Sequence, residues 1–179
     1  MPEKKMDCSF CQPDEDLNAR IINRGKSIFT FLSKPRFRRN HLLVVPNEHY
    51  VGEDTMNSDI LGKIMYEAKS WAHVVDFGYG AVVTQKSQPR QPENGIKIDH
   101  AHFHVWPRTK QDEQNGIVIP APQSFDDFFV PSNEKERLEL DEDIQRNKRE
   151  LRLLFLRKKG MPWPDIWALM EKEDNRGTS

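Results

Sequence analysis

The chain has 179 residues, with 27 Lys/Arg against 28 Asp/Glu and a formal net charge of −1. That length suits one domain or one domain with an appendage, and the balanced charge supplies no global field to gather nucleic acid or a membrane surface. Charged residues make up 31% of the chain and mean hydropathy is −0.78; no run reaches the roughly 18 apolar residues of a membrane span, and the opening Met-Pro-Glu-Lys-Lys-Met-Asp lacks a signal peptide's apolar stretch, so the expected location is the cytoplasm.

Cys8-Ser9-Phe10-Cys11 interrupts an otherwise polar start. Two cysteines this close build no disulfide framework. They could be a redox couple, half of a zinc site or neither, since zinc ordinarily takes four ligands. Residues 20–23 and 27–32 read as two strands around a turn at Arg24-Gly25-Lys26, and 41–46 as a third. Between them Lys34, Arg36, Arg38 and Arg39 form a basic connection, read either as a solvated loop or as a grip on phosphates. From 59 to about 76 the apolar positions Ile60, Leu61, Ile64, Met65, Ala68, Trp71, Ala72 and Val75 keep helical spacing, with Ser58 as the N-cap and Gly78-Tyr79-Gly80 as the stop. His73 falls in this helix as an ordinary polar-face residue. A strand at 81–84 and a loop at 85–97 follow. Residues 111–127 read as loop. A charged helical stretch at 133–159 carries a partial stripe of Leu138, Ile144, Leu151, Leu154 and Phe155, and a last helix runs from about 164 to 173. The basic and aromatic mixture at 146–167 invites a nucleic-acid reading, but an appendage packed on its own domain is favoured over it.

The stretch Asp99-His100-Ala101-His102-Phe103-His104-Val105-Trp106 says most about function. Successive strand side chains alternate between faces, so His100, His102 and His104 would share one face at a pitch of roughly 6.5–7 Å while Ala101, Phe103 and Val105 enter the core. A solvated surface has little use for three such imidazoles, and a core does not bury them without partners. Two chemistries fit: convergence on a metal ion, or a nucleophilic imidazole oriented by its neighbours. The middle residue, His102, has help available from both sides.

This stretch resembles the histidine-triad (HIT) motif, His-φ-His-φ-His-φ-φ with φ apolar. Pro107-Arg108 follows it as in much of that superfamily. His41-Leu42-Leu43-Val44-Val45-Pro46-Asn47-Glu48-His49 is similar to the family's His-x-φ-φ-φ-Pro-x-x-His strand, and Cys8-Ser9-Phe10-Cys11 to the opening of its zinc-carrying members. The three blocks lie in order over residues 8–110.

The resemblance implies an α+β fold: a mostly antiparallel sheet in β-β-β-α-β-β order with a long helix across one face, usually a homodimer. The chain then divides into a HIT domain at 1–115 and a loop with C-terminal helices at 116–179. It implies a nucleotide hydrolase in which His102 attacks an α-phosphate and is transiently nucleotidylated, while His104 donates to a phosphate oxygen. His100 assists or ligates zinc. A structural zinc would be held by Cys8, Cys11, His49 and His100. His41 is a structural or supporting donor. The substrates implied are nucleoside phosphoramidates or dinucleoside polyphosphates. A transferase or phosphorylase using the same intermediate, and a zinc-bearing nucleotide-binding protein without turnover, are the alternatives.

The chain departs from the family pattern at two places. Where most members have Gln-Ser/Thr-φ-x before the triad, Ile96-Lys97-Ile98-Asp99 stands, and Lys97 would replace hydrogen bonds by a point charge. The family's acidic residue for ribose hydroxyls aligns with Ser33. Backbone groups of the 94–99 loop, starting at Asn94, are candidates for holding phosphate, and Ile21, Phe29 and Phe31 for the base pocket.

Overall fold

A computed structural model describes residues 7–34, 38–52, 55–85, 100–119 and 129–176, with side chains to 172 in the last helix. Five strands, β1 (Ile21–Arg24), β2 (Ile28–Leu32), β3 (Leu42–Pro46), β4 (Ala81–Gln85) and β5 (Phe103–Pro107), form one sheet in the order β1-β2-β3-β5-β4. Every neighbouring pair is antiparallel. The β1–β2 hairpin closes on a hydrogen bond from the Gly25 N–H to the Ile28 carbonyl, 2.8 Å. The long helix α2 (Ser58–Val74) carries the chain from β3 to β4. Its cap is Asn57, whose side chain accepts the Ile60 N–H, rather than the expected Ser58, which is already helical. The turn after it needs left-handed backbone at Gly78 (φ 99°) and Gly80 (φ 82°), and the Asp76 carboxylate accepts both glycine N–H groups.

Strand alternation gives the sheet two different faces. On one, Leu42, Val44, Phe103 and Val105 pack against Ile60, Ile64, Ala68 and Trp71 of α2. The charged helix α4 (Glu134–Lys158) joins this same core through Leu140, Ile144, Leu151 and Phe155, with the Phe155 ring stacked on Trp71 at 4.2 Å. The predicted stripe shifts accordingly: Leu138 and Leu154 are exposed, and Leu140 takes the buried place. The final helix α5 (Trp163–Arg176) packs on the end of α4 through Ile166 and Met170 against Leu156.

The other face carries Phe29, Phe31, Leu43 and Val45, covered by Cys8, Phe10, Cys11 and Leu17. The covering segment is pinned by a helix that the sequence pattern does not reveal, α1 (Glu15–Arg20), capped by the Asp14 carboxylate on the Leu17 N–H. Arg20, expected in the first strand, ends this helix and donates to the Leu32 carbonyl at 2.7 Å. A second short helix, α3 (Lys110–Gln114), replaces the start of the loop expected at 111–127; Thr109 and Asp112 form its capping box.

Candidate functional site

The site lies on the face covered by the amino-terminal segment. The Cys8 carbonyl accepts the N–H groups of Cys11 and Gln12, at 3.1 and 3.0 Å. This tight turn brings both thiols to one point. His49 follows β3 and His100 precedes β5, so neighbouring strands deliver two imidazoles to the same place. The ligand atoms of Cys8, Cys11, His49 and His100 all lie within 4.8 Å of one another. His100 Nδ1 is 3.3 Å from Cys8 Sγ and 3.5 Å from Cys11 Sγ, and His49 Nδ1 is 3.3 Å from Cys11 Sγ.

The far nitrogen of His100 faces the Pro46 carbonyl at 3.0 Å. A carbonyl only accepts, so Nε2 holds the proton and Nδ1 turns its lone pair to the sulfurs. Burial, with a lesser push from His49, lowers the His100 pKa to about 4 against the opposing pull of that carbonyl. The imidazole is therefore neutral near pH 7, as a metal ligand must be.

The three histidines do not share one strand. Only His104 lies in β5; His100 and His102 precede it. The Ala101 N–H goes to the Tyr50 carbonyl rather than into a ladder. The inward alternation still holds, with Ala101, Phe103 and Val105 buried in the core toward α2. His102 is half-buried, and its Nδ1 lies 2.8 Å from the carbonyl of His100. That contact puts the proton on Nδ1 and leaves the lone pair on Nε2. Phe10, which no sequence argument singles out, meets the His100 and His102 rings edge-on at 5.7 and 5.5 Å. Its place between the two cysteines is the available signal.

His104 and His41 are buried, with His104 Nδ1 2.8 Å from His41 Nε2. His41 thus stands behind the last histidine of the row. Ser33 is buried beside this pair, its N–H donating to the His41 carbonyl. Phe29 and Phe31 stack on one another under Phe10 and are almost wholly buried, while Ile21 is half-buried at the margin. Lys97 and Asn94 lie outside the described residues, as do Arg36 and the rest of 86–99.

The described basic residues after β2 are engaged by carboxylates. The Lys34 ammonium sits 2.9 Å from Asp16 and 2.7 Å from Asp141. Arg38 pairs with Asp112 at 2.7 Å and donates to the Pro107 carbonyl, and Arg39 is 3.3 Å from Glu150. Each charge is answered by a carboxylate far away in sequence. Arg108 donates to the Ile117 carbonyl. A shallow depression of about 530 Å³ between the β1–β2 turn and α2 includes Asn23, Lys26, Asp59 and Tyr66 in its lining but none of the histidines.

The family model described as HIT domain matches residues 15–111. An uncharacterized HIT-like protein of Methanocaldococcus jannaschii is 27% identical over 107 residues, spanning 59% of this chain and 81% of that protein. An adenosine 5'-monophosphoramidase of Saccharomyces cerevisiae is 26% identical over 123 residues, 68% of this chain and 73% of that enzyme. Among solved structures, a zinc-bound histidine triad family protein from Mycobacterium smegmatis superposes with a TM-score of 0.59 at 18% identity, covering 87% of this chain and 97% of the other. No described helix is long and apolar enough to cross a membrane.

Proposed function

Because this chain belongs to the HIT family, we propose that it is a nucleotide hydrolase acting at the α-phosphate of nucleoside phosphoramidates or dinucleoside polyphosphates, with His102 as the nucleophile. The observation that carries the reading is the 2.8 Å contact between His102 Nδ1 and the His100 carbonyl. It fixes the tautomer whose Nε2 lone pair can attack. As the N–P bond to His102 forms, the bond to the leaving group breaks and the ring becomes cationic. A leaving amine departs neutral with a proton taken from solvent, which the later attack of water returns. The Nδ1–H stays in place, and the carbonyl dipole stabilises the charge the ring acquires. Water then cleaves the N–P bond, and a nucleoside monophosphate leaves. This reading makes His41 Nε2–H the donor across the 2.8 Å contact to His104 Nδ1, so that His104 carries its own proton on Nε2 and donates to a phosphate oxygen as charge builds there. The relatives named adenosine 5'-monophosphoramidase support a phosphoramidate as substrate.

The four-residue group fits zinc. Tetrahedral Zn–S bonds of about 2.3 Å and Zn–N bonds of about 2.0–2.1 Å set sulfur–nitrogen edges near 3.5 Å, and the three contacts of 3.3–3.5 Å match. Two thiolates and two neutral imidazoles favour zinc over harder cations. With all four positions taken by protein, such an ion would tie the amino-terminal segment to the strand ends and supply folding energy.

The test is to incubate the protein with a fluorogenic adenosine phosphoramidate and, separately, with diadenosine tetraphosphate, with and without inorganic phosphate, beside His102→Ala. Turnover lost in the variant, with an acid-labile adenylyl group found on His102 by mass spectrometry, is the expected result. Phosphate-dependent products would make the protein a phosphorylase. Binding of both compounds without turnover would overturn the enzyme reading.

A further inference from the structure

The mechanism above uses the imidazoles and leaves Trp106 idle, although it lies among them. Its indole is 1% exposed and parallel to two rings at once, to His104 with centroids 4.8 Å apart and planes 2° apart, and to His41 at 3.8 Å and 15°. The two histidines are 5.1 Å apart by centroid, with planes 15° apart, and are joined Nε2 to Nδ1 at 2.8 Å. Rings that share an in-plane N–H···N bond and are nearly coplanar lie edge to edge, not face to face. The hydrogen-bonded pair therefore forms one flat unit laid over one indole.

Neighbouring contacts fix that indole. Trp106 Nε1–H donates to Thr84 Oγ1 at 2.7 Å, and Thr84 stands opposite His104 in the β4–β5 register. An aliphatic residue would fill the volume, but it would offer neither a plane to align two imidazoles nor a negative π-face for the partial charge they carry when His104 donates.

We propose that Trp106 is a positioning residue for the reaction, holding His41 and His104 coplanar so that the proton between them stays on His41 and His104 keeps its Nε2–H toward the phosphate. This rests on the assignment of His104 as phosphate donor, while the ring geometry stands independently of it. Trp106 touches no substrate and acts only through the pair.

The experiment compares Trp106→Phe, Trp106→Leu and Thr84→Val with the parent protein, each at full metal content and checked by thermal melting. Two readouts are taken: kcat and KM on the adenosine phosphoramidate, and imidazole ¹⁵N shifts, which report the tautomer of each histidine. Trp106→Leu should lower kcat about tenfold with KM within about twofold, the scale of one desolvated cation–π contact, and should mix the tautomers of His104. Trp106→Phe should retain the single tautomer and recover most of kcat; Thr84→Val should fall between. The proposal is overturned if Trp106→Leu melts at lower temperature yet keeps kcat and the His104 tautomer, or if Trp106→Phe restores neither. Should Trp106→Leu fail to fold, Trp106→Phe and Thr84→Val decide the matter by the same two readouts. If the parent turns over no nucleotide, the hydrolase reading fails, while the ¹⁵N shifts still decide the role of Trp106.

Discussion

On the side of the sheet toward α2 and α4, Leu42, Val44, Phe103 and Val105 meet Ile64, Ala68, Trp71 and Phe155 in an apolar layer. On the opposite side Phe29, Phe31, Leu43 and Val45 lie under a short covering segment, in a layer with two buried thiols and the buried imidazoles of His41, His100 and His104. The same five strands serve both sides, and alternation decides which residues go where. One side draws its stability from apolar burial roughly in proportion to area. The other buries polar groups, and each of these costs free energy unless a specific partner satisfies it. The helical side should therefore tolerate shape changes with graded losses, whereas the histidine side should fail abruptly when one partner is taken away.

The largest effect expected from this difference is on the histidine side. Stripping zinc-loaded protein with a strong chelator, or replacing Cys8 by Ser, should cost several kcal/mol or unfold the amino-terminal segment, because binding energy at such sites is folding energy. Melting followed alongside metal content by elemental analysis would check it. A chelated protein that melts with an unchanged midpoint would mean that the four side chains are merely packed together.

On the helical side, Trp71→Ala removes a fully buried indole stacked on Phe155. It should cost about 3–5 kcal/mol, in the range of large aromatic truncations. Metal content and the activity of the remaining folded fraction should not change. Loss of metal in this variant would show that the two faces are coupled and that their separation is wrong.

Asp112 offers a third, smaller test. Its carboxylate is buried, which by itself would raise its pKa, yet the bonds from Arg38 and Thr109 hold it below the usual carboxylate range. A depressed folded-state pKa gives stability that is present above the unfolded value near 3.8 and is lost as pH falls through the lower folded one. Asp112→Asn should cost about 2 kcal/mol at neutral pH and flatten the acid limb of the stability curve below pH 4, as measured by urea unfolding across pH.

How far these features are legible depends on the range of the signal. The triad's apolar positions indicate the correct inward face, because alternation is local. The strand itself starts later than the pattern suggests: the Ala101 N–H is taken by Tyr50 and the His102 ring turns back to the His100 carbonyl, and both are decided by folded geometry. The Cys8, Cys11, His49 and His100 group is reached through the family's spacing, since nothing local links residue 11 to residue 100. Helices α1 and α3 are too short to show a period, although Thr109 and Asp112 carry a capping signature. Lys34, Arg38 and Arg39 meet a related limit. A run of cations is visible in one dimension, while its carboxylates at 16, 112, 141 and 150 come together only in three.

Lys34 gives the smallest effect and the finest discrimination. Its ammonium is held by Asp16 and Asp141, which together raise its pKa against the cost of burial. It therefore links α1 and α4 to the loop that begins at Ser33. Asp141 is about a third exposed, so water and salt weaken the pair. Asp141→Asn should cost less than about 1 kcal/mol, and less again in high salt. If Ser33 meets the substrate's ribose, loosening this loop should raise KM modestly, about twofold, with kcat unchanged, because His102 and His104 are held by other contacts. A fall in kcat at constant KM would instead mean that α4 acts on His102 and His104 through His41, whose carbonyl receives the Ser33 N–H. Helix α4 would then belong to the chemistry of the opposite face and not only to the stability of its own.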